Sequence, residues 1–485
     1  MIINKLLMGA ACGLLSASIS LSANAGQTED ALIAKIVAAY GGDALINAKA
    51  LRIQNSNRII SVGQSANPEV TDIAINKSDL FVDFANRRSS LENWNENRGG
   101  TFLNQAVFDG TSGHAYNHLA KTRSENAGLT FFSVGGGTMR TTDTTLVRIL
   151  LENRDAAVKG DDVVLTGNVH ETLTFPMEGS PDLTIYVNKE TGLLTKMRRE
   201  NPVAGALDYV FSAYKKSDGV TYASQAAFLI AGQPNTLTVH RKLEVNPNLN
   251  GVFVAPDGYR DQGANIDTSE MQVRELADGV YYAGQNGGHS IFVDAGDHFI
   301  AAGGYAGLTA RFDAVKEAAG VDKPLGQQIV THQHSDHIGG MGEAATLGAN
   351  FVTVENHVRP VQASLSEPLP DDRITLVDGS MSLANGAVEI YDIATAHADH
   401  YLLVYLPELN LVFSADHFST NLQEGLPTAN RNMVTFREAV EALDLDIDGF
   451  LGAHGTRQLT MADLRAATEG YTVSVCPVSR VICAD

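Results

Sequence analysis

Three histidines and an aspartate crowd into the run Thr331-His332-Gln333-His334-Ser335-Asp336-His337. In extended backbone, side chains two positions apart project to the same face, so His332 and His334 can grip one ion together. Asp336 and His337 follow where the chain turns towards a helix opening near Gly339-Gly340, and so face elsewhere, towards a second ion. Imidazole nitrogen and carboxylate oxygen are the usual ligands of a catalytic zinc, which keeps one position open for water. Iron and manganese take the same ligands, so these residues admit more than one metal. Ten of the fourteen histidines follow residue 270, which places the chemistry in the second half of the chain. There is no Gly-x-Ser-x-Gly turn of the kind that presents a nucleophilic serine.

The elements that must position this run alternate. Val280-Tyr281-Tyr282 and Ser290-Ile291-Phe292-Val293 read as strands, Leu308 to Ala319 has helical spacing, and Gln328 to Val330 is a short strand running into the histidines. Strands and helices continue to alternate towards the C-terminus, the pattern of a layered α/β arrangement. The first half differs. Glu29 to Tyr40 predicts a helix, apolar at Leu32, Ile33, Ile36 and Val37, stopped by Gly41-Gly42. From Arg52 to Leu243 short alternating stretches are separated by turn residues. The clearest is the hairpin of Leu183–Val187 and Leu193–Met197 around Asn188-Lys189-Glu190-Thr191-Gly192. This half is read as mostly antiparallel sheet, residues 26–255. A polar, turn-rich linker at 256–270 joins it to a second domain at 271–485.

The chain's 485 residues suffice for two domains of about 200 residues each. The net charge of −21 excludes a phosphate-backbone partner such as nucleic acid, and is otherwise the mark of a well solvated surface. At the N-terminus, Lys5 precedes an apolar stretch from Leu6 to Leu21 and then Ala23-Asn24-Ala25, a small-x-small cleavage signal. Residues 1–25 are thus read as a cleavable signal peptide, and the protein as periplasmic or secreted. A lipoprotein alternative at Cys12 would leave only Leu6 to Ala11 as its apolar segment. No further transmembrane span is expected. Cys476 and Cys483 remain after cleavage, and in an exported chain they are read as a small disulfide loop, the other reading being two unpaired thiols.

The histidine run resembles the HxHxDH signature of the metallo-β-lactamase-fold hydrolases, and later blocks agree with that family in order and spacing. Ala394-Thr395-Ala396-His397 stands where the family completes its first metal site. Leu411-Val412-Phe413-Ser414-Ala415-Asp416 is similar to its strand ending in a bridging aspartate, and Phe450-Leu451-Gly452-Ala453-His454-Gly455 to its last ligand strand. The resemblance covers about Met271 to Leu464, some two-fifths of the chain. It implies an αββα sandwich with two divalent metal ions, zinc foremost, at one edge. His332, His334 and His397 would bind the first ion, Asp336, His337 and His454 the second, with Asp416 bridging. Asp336 would also orient the attacking metal-bound hydroxide or take up its proton.

The resemblance implies a hydrolase acting on a small-molecule substrate. β-Lactamases of the family generally carry cysteine or serine where Asp416 stands, so the expectation moves to an ester, lactone or thioester. A β-lactam or a phosphodiester is the alternative. Glutathione thioesterases of the family have a basic C-terminal region, whereas only Arg457, Arg465 and Arg480 follow His454 here. His397 is followed by Ala398-Asp399-His400 where many members have a Thr/Ser-Pro-Gly-like turn. Asp399 and His400 are read either as partners that orient a ligand or substrate, or as a polar loop end. His417, His289, His298 and His357 are read as structural or surface residues. The first half loosely resembles the half-barrel of lipoprotein-sorting carriers. It could hold a hydrophobic molecule and present it to the metals, serve as a scaffold, or dimerise; with a non-catalytic metal domain the whole would be an envelope binding protein. The oligomeric state is open.

Overall fold

The computed structural model describes residues 18–202, 204–477 and 481–483. Cys12 and most of the apolar stretch read as a signal lie outside the described residues. Among the described residues, no helix is long and apolar enough to cross a membrane.

The first half is one large sheet. Each strand from Ala50–Ile60 to Thr122–Glu125 pairs with the next, as does each from Asn168–Met177 to Gln233–Val245. The two runs join where Ala50–Ile60 pairs antiparallel with Gln233–Val245, Ile53 opposite Leu243. The predicted hairpin forms from Ser180–Asn188 and Leu194–Asn201. The Asn188 side chain accepts from the backbone of Glu190 and Thr191, and Gly192 takes the left-handed conformation that closes the turn. The predicted helix is the second part of Ser18–Ala39, and its stripe of Leu32, Ile33, Ile36 and Val37 is buried.

That stripe packs with Leu146, Val147, Ile149 and Leu150 of the helix Asp143–Glu152 against Leu51, Ile53, Leu80, Leu173 and Ile185 of the sheet. Each such side chain contributes about 1.5–3 kcal/mol by leaving water. The face that could have held a foreign apolar molecule is therefore filled by the chain's own helices.

The second half has two further sheets. Gln272–Ala277, Val280–Gln285, Gly288–Asp294, Phe299–Ala302, Leu325–Ile329, Asn350–Thr353 and Ile374–Leu376 form one, antiparallel up to Phe299–Ala302 and parallel beyond it. Ser380–Leu383, Val388–Ile393, Tyr401–Leu406, Leu411–Ala415 and Gly449–Gly452 form the other. The period-2 alternation of strands sorts the first of these sheets. Tyr282, Ile291, Val293, Ile300 and Ala302 turn inward against Val388, Ile390, Val404 and Phe413. Tyr281, Phe292, Phe299 and Ala301 turn outward onto Leu308, Phe312 and Val315 of the helix Leu308–Ala319. Helices Arg431–Ala442 and Met461–Thr468 lay Met433, Phe436, Val440 and Leu464 on the second sheet. The order is helix, sheet, sheet, helix, as expected.

The stretch between the halves is stitched down. Arg260–Asp261 adds to the edge strand Thr122–Glu125, and the backbone of Ala264 and Ile266 bonds to that of Gln423 and Asn421. Cys476 and Cys483 are joined by a disulfide, and Ile482 and Cys483 pack on Trp94 and Leu103 of the first sheet.

Candidate metal centre

Each block singled out in the sequence sits just past a strand end, where a rigid sheet hands the chain to a loop. The run His332–His337 follows Leu325–Ile329, His397 follows Val388–Ile393, Asp416 follows Leu411–Ala415, and His454 follows Gly449–Gly452. Ala415 holds a φ of 39°, a conformation costly for a residue with a side chain, immediately before Asp416. Gly304 meets another demand. A Cβ there would lie 2.0 Å from Met341 Cε and 2.4 Å from the His337 carbonyl oxygen, so only glycine lets this strand end approach the histidine run.

The seven side chains converge on two groups. Ligand atoms of His332, His334, His397 and Asp416 lie within 4.8 Å of one another, as do those of Asp336, His337, Asp416 and His454. Asp416 belongs to both, and its two oxygens divide the work. Oδ2 is 3.5 Å from His332 Nε2 and 3.1 Å from His397 Nε2. Oδ1 is 2.5 Å from His337 Nε2 and 3.3 Å from His454 Nε2. Donors about 2.0–2.1 Å from a tetrahedral zinc are about 3.3 Å apart, so the spacing fits an ion in each group. His334 Nδ1 is buried and has no hydrogen-bond partner among the described residues, as a nitrogen reserved for a metal would be.

The protonation states suit this use. Burial, then the neighbouring His337, keeps the His332 imidazole well below its usual range, and burial with His397 pushes His334 down to about 3. Both rings therefore offer free lone pairs. Burial alone would raise the Asp416 carboxyl, but His337 and hydrogen bonds from His332 and His397 hold it well below the carboxylate range. Asp336 is lowered too, its burial outweighed by His454, His337 and Gln64. For His454 burial acts downward, yet hydrogen bonds to Asp336 and Asp416 raise it to about 10, so a metal entering the second group at neutral pH displaces a proton.

At His332, His454 and His397 the nitrogen turned away from the centre is held as well, which fixes ring orientation. Thr331 Oγ1 is 3.2 Å from His332 Nδ1, the Gly287 carbonyl 3.1 Å from His454 Nδ1, and Asn432 Nδ2 3.4 Å from His397 Nδ1. Behind them Tyr401 OH donates to the Ser414 carbonyl and accepts from Asp416 N.

Three features of the centre lay beyond the sequence reading. Tyr305 OH is 2.7 Å from His337 Nε2, donates to Asp336 Oδ2 at 3.2 Å, and contacts His454 Nε2. Burial, with Asp416 and Asp336 beside it, raises this phenol above its usual range. A lone tyrosine after Gly303-Gly304 carries no recognisable signal. The second feature is the loop between the strands Ala50–Ile60 and Ile73–Asp83. The Ser65 carbonyl is 3.2 Å from His334 Nε2 and accepts from Gln333 Nε2, while Gln64 Nε2 donates to Asp336 Oδ1 at 2.8 Å. The third is the turn at Arg98-Gly99, where the Gly99 carbonyl accepts from Arg431 N.

The remaining candidates fall into place around these loops. Asp399 pairs with Arg98, accepts from Asn67 Nδ2, and donates its backbone N–H to the Ala66 carbonyl. It fastens the first half to the second. His400 Nδ1 is 2.8 Å from Asp392 Oδ2. His417 is buried against Phe436 and bonded to Thr395 Oγ1, and His289 stacks on Tyr282. His357 is buried beneath His400, and His298 contacts Asp297 at the surface.

Two facing sheets, outer helices, and two ligand groups sharing one aspartate at the strand ends decide the fold. The second half of the chain has the metallo-β-lactamase fold. No family model matches the chain, and no curated protein matches it. Among solved structures, it is similar to a metallo-β-lactamase from Hirschia baltica, with 19% identity over 41% of this chain and 95% of that one, TM-score 0.34. It is also similar to the metallo-β-lactamase FIM-1 from Pseudomonas aeruginosa in its mono-zinc form (18% identity, 42% and 96%, TM-score 0.33). A flavodiiron protein from Giardia intestinalis is similar too (16% identity, 41% and 58%, TM-score 0.32).

Proposed function

We propose that the protein is an exported hydrolase that holds two divalent metal ions, zinc foremost, and cleaves a small ester, lactone or thioester. The observation that carries this is the division of Asp416, with one carboxylate oxygen facing each ligand group. Two ions held there would polarise a scissile carbonyl and bring the pKa of water from about 15.7 towards 7.

The chain's own residues then have defined tasks. Asp336 is the partly exposed carboxylate of the centre, its Oδ1 held by Gln64 and its Oδ2 facing Tyr305, His337 and His454, and it is the group assigned to orient the attacking water or accept its proton. The buried shell of Tyr401, His417 and Phe436 keeps solvent from the far side of His332 and His397. Export rests on the apolar stretch from Leu6 to Leu21 and on the Cys476–Cys483 disulfide, which belongs to an oxidising compartment. The filled face of the first sheet weighs against a hydrophobe carrier.

The test is metal analysis of the purified chain followed by a panel of nitrophenyl esters, lactones, thioesters, phosphodiesters and a cephalosporin. The reading expects two ions per chain and turnover on the carbonyl substrates. Two bound ions with no turnover on any member would overturn it.

A further inference from the structure

We infer that the first half of the chain is the substrate-recognition wall of the active site, and that it selects substrates bearing a hydrocarbon chain beside the scissile carbonyl. This rests on the hydrolase reading above and deepens it. A cavity of about 500 Å³ opens between the halves, with the ligands His334 and His397 at its base. That is the size of a small-molecule site. Its opposite wall comes from one end of the first sheet, where the strands Ile73–Asp83, Arg88–Asn97 and Gly100–Phe108 start or finish.

Three larger apolar side chains line that wall. Ile73 is 62% exposed, Ile75 two positions on shares its side of the strand, and Phe102 is half-buried on the neighbouring hairpin. None belongs to the three large apolar cores, so folding does not require them to be apolar. Exposed apolar groups gathered beside a catalytic constellation mark a site for an apolar group.

The charges around them narrow the choice. Among the described residues lining the cavity, Arg98 is the one cationic side chain, and Asp399 already neutralises it, while Asp72 and Glu96 add negative charge. Away from the metals the described lining therefore offers no unpaired cationic side chain for a second anionic group, which disfavours dicarboxylates. A neutral ester, lactone or thioester with an alkyl or acyl chain matches both the apolar wall and the acidic rim.

The experiment measures kcat/KM of the zinc-loaded full-length chain on p-nitrophenyl esters from acetate to dodecanoate. Isothermal titration of acetate, hexanoate and octanoate accompanies it. A fully buried methylene is worth about fourfold, so partial burial predicts at least a tenfold rise from acetate to octanoate. Ile75→Ser and Phe102→Ser should cut that ratio below threefold. Val210→Ser, on an outward-facing strand position remote from the cavity, should leave it intact. Turnover that is flat with chain length, or a ratio unchanged in Ile75→Ser and Phe102→Ser, overturns the inference and leaves the hydrolase reading standing. If neither these esters nor the lactones and thioesters of the panel above are cleaved, the hydrolase reading fails first. Octanoate that binds the parent chain but not the Ser variants then still supports the wall, and octanoate that binds neither refutes it.

Discussion

Gln64 Nε2 lies 2.8 Å from Asp336 Oδ1 although 272 positions separate them in the chain. One residue further on, the Ser65 carbonyl reaches His334 Nε2 at 3.2 Å. A single loop of the first half thus touches one ligand in each group, and the centre is finished by residues outside its own fold.

Removing that support should be visible in metal affinity. Outer contacts to ligands typically matter 10–100-fold, so Gln64→Ala should weaken zinc at the second group by about tenfold, with the first group unchanged. Gln64→Glu should weaken it more, by setting a carboxylate against Asp336. Chelator-competition titration of zinc reads both, and unchanged affinities in the two variants would show that the contact orients nothing.

The ligands themselves should act as a unit. His334→Ala or Asp336→Asn should remove bound metal and turnover together, and Asp416→Ala should leave fewer than one ion per chain because both groups lose a donor. Elemental analysis checks the stoichiometry. Full turnover in any of the three would disprove the assignment.

Tyr305 offers a finer probe, since its hydroxyl contacts Asp336, His337 and His454 while its ring packs edge-on against both histidines. Tyr305→Phe keeps the ring and removes only the oxygen. We expect loss of affinity at the second group by about tenfold and a melting temperature within a few degrees of the parent. A parent-like titration curve would reduce Tyr305 to packing.

Acid should destabilise the metal-free protein through buried neutral imidazoles. Burial depresses His289 to about 4, and burial with the charge of His400 depresses His357 to about 3, against about 6.5 unfolded. Below pH 6.5 the unfolded chain binds the extra protons. Stability is therefore fully present above 6.5 and falls as the pH drops towards 4, by up to about 1.4 kcal/mol per pH unit for each ring. The urea midpoint should be lower at pH 5 than at pH 7, and His289→Gln should flatten that difference. Equal midpoints for the parent chain at the two values would contradict the neutral-ring account.

Much of this was legible in the linear sequence because the signals are local or periodic. The helix Leu308–Ala319 appears with its predicted limits, the hairpin at Asn188–Gly192 follows from its turn residues, and the spacing of His332 to His337 announces its own convergence. Gln64, Ser65, Tyr305 and Ile73 were not legible, because each acquires meaning only from a partner hundreds of positions away or on another strand. Asp399 shows the boundary well. Its place beside His397 leaves open a partner of the ligands or substrate and a polar loop end, and only the fold shows its carboxylate paired with Arg98, a residue of the other half.

The pairing of Ala50–Ile60 with Gln233–Val245 carries a consequence for biogenesis. The strands Ala50–Ile60 and Gln233–Val245 cannot pair until residue 245 has been synthesised, whereas the histidine run comes almost ninety residues later. The ligand run thus follows in the chain the strands that carry Gln64 and Ser65, and Ile482 and Cys483 come back across both halves to pack on Trp94 and Leu103.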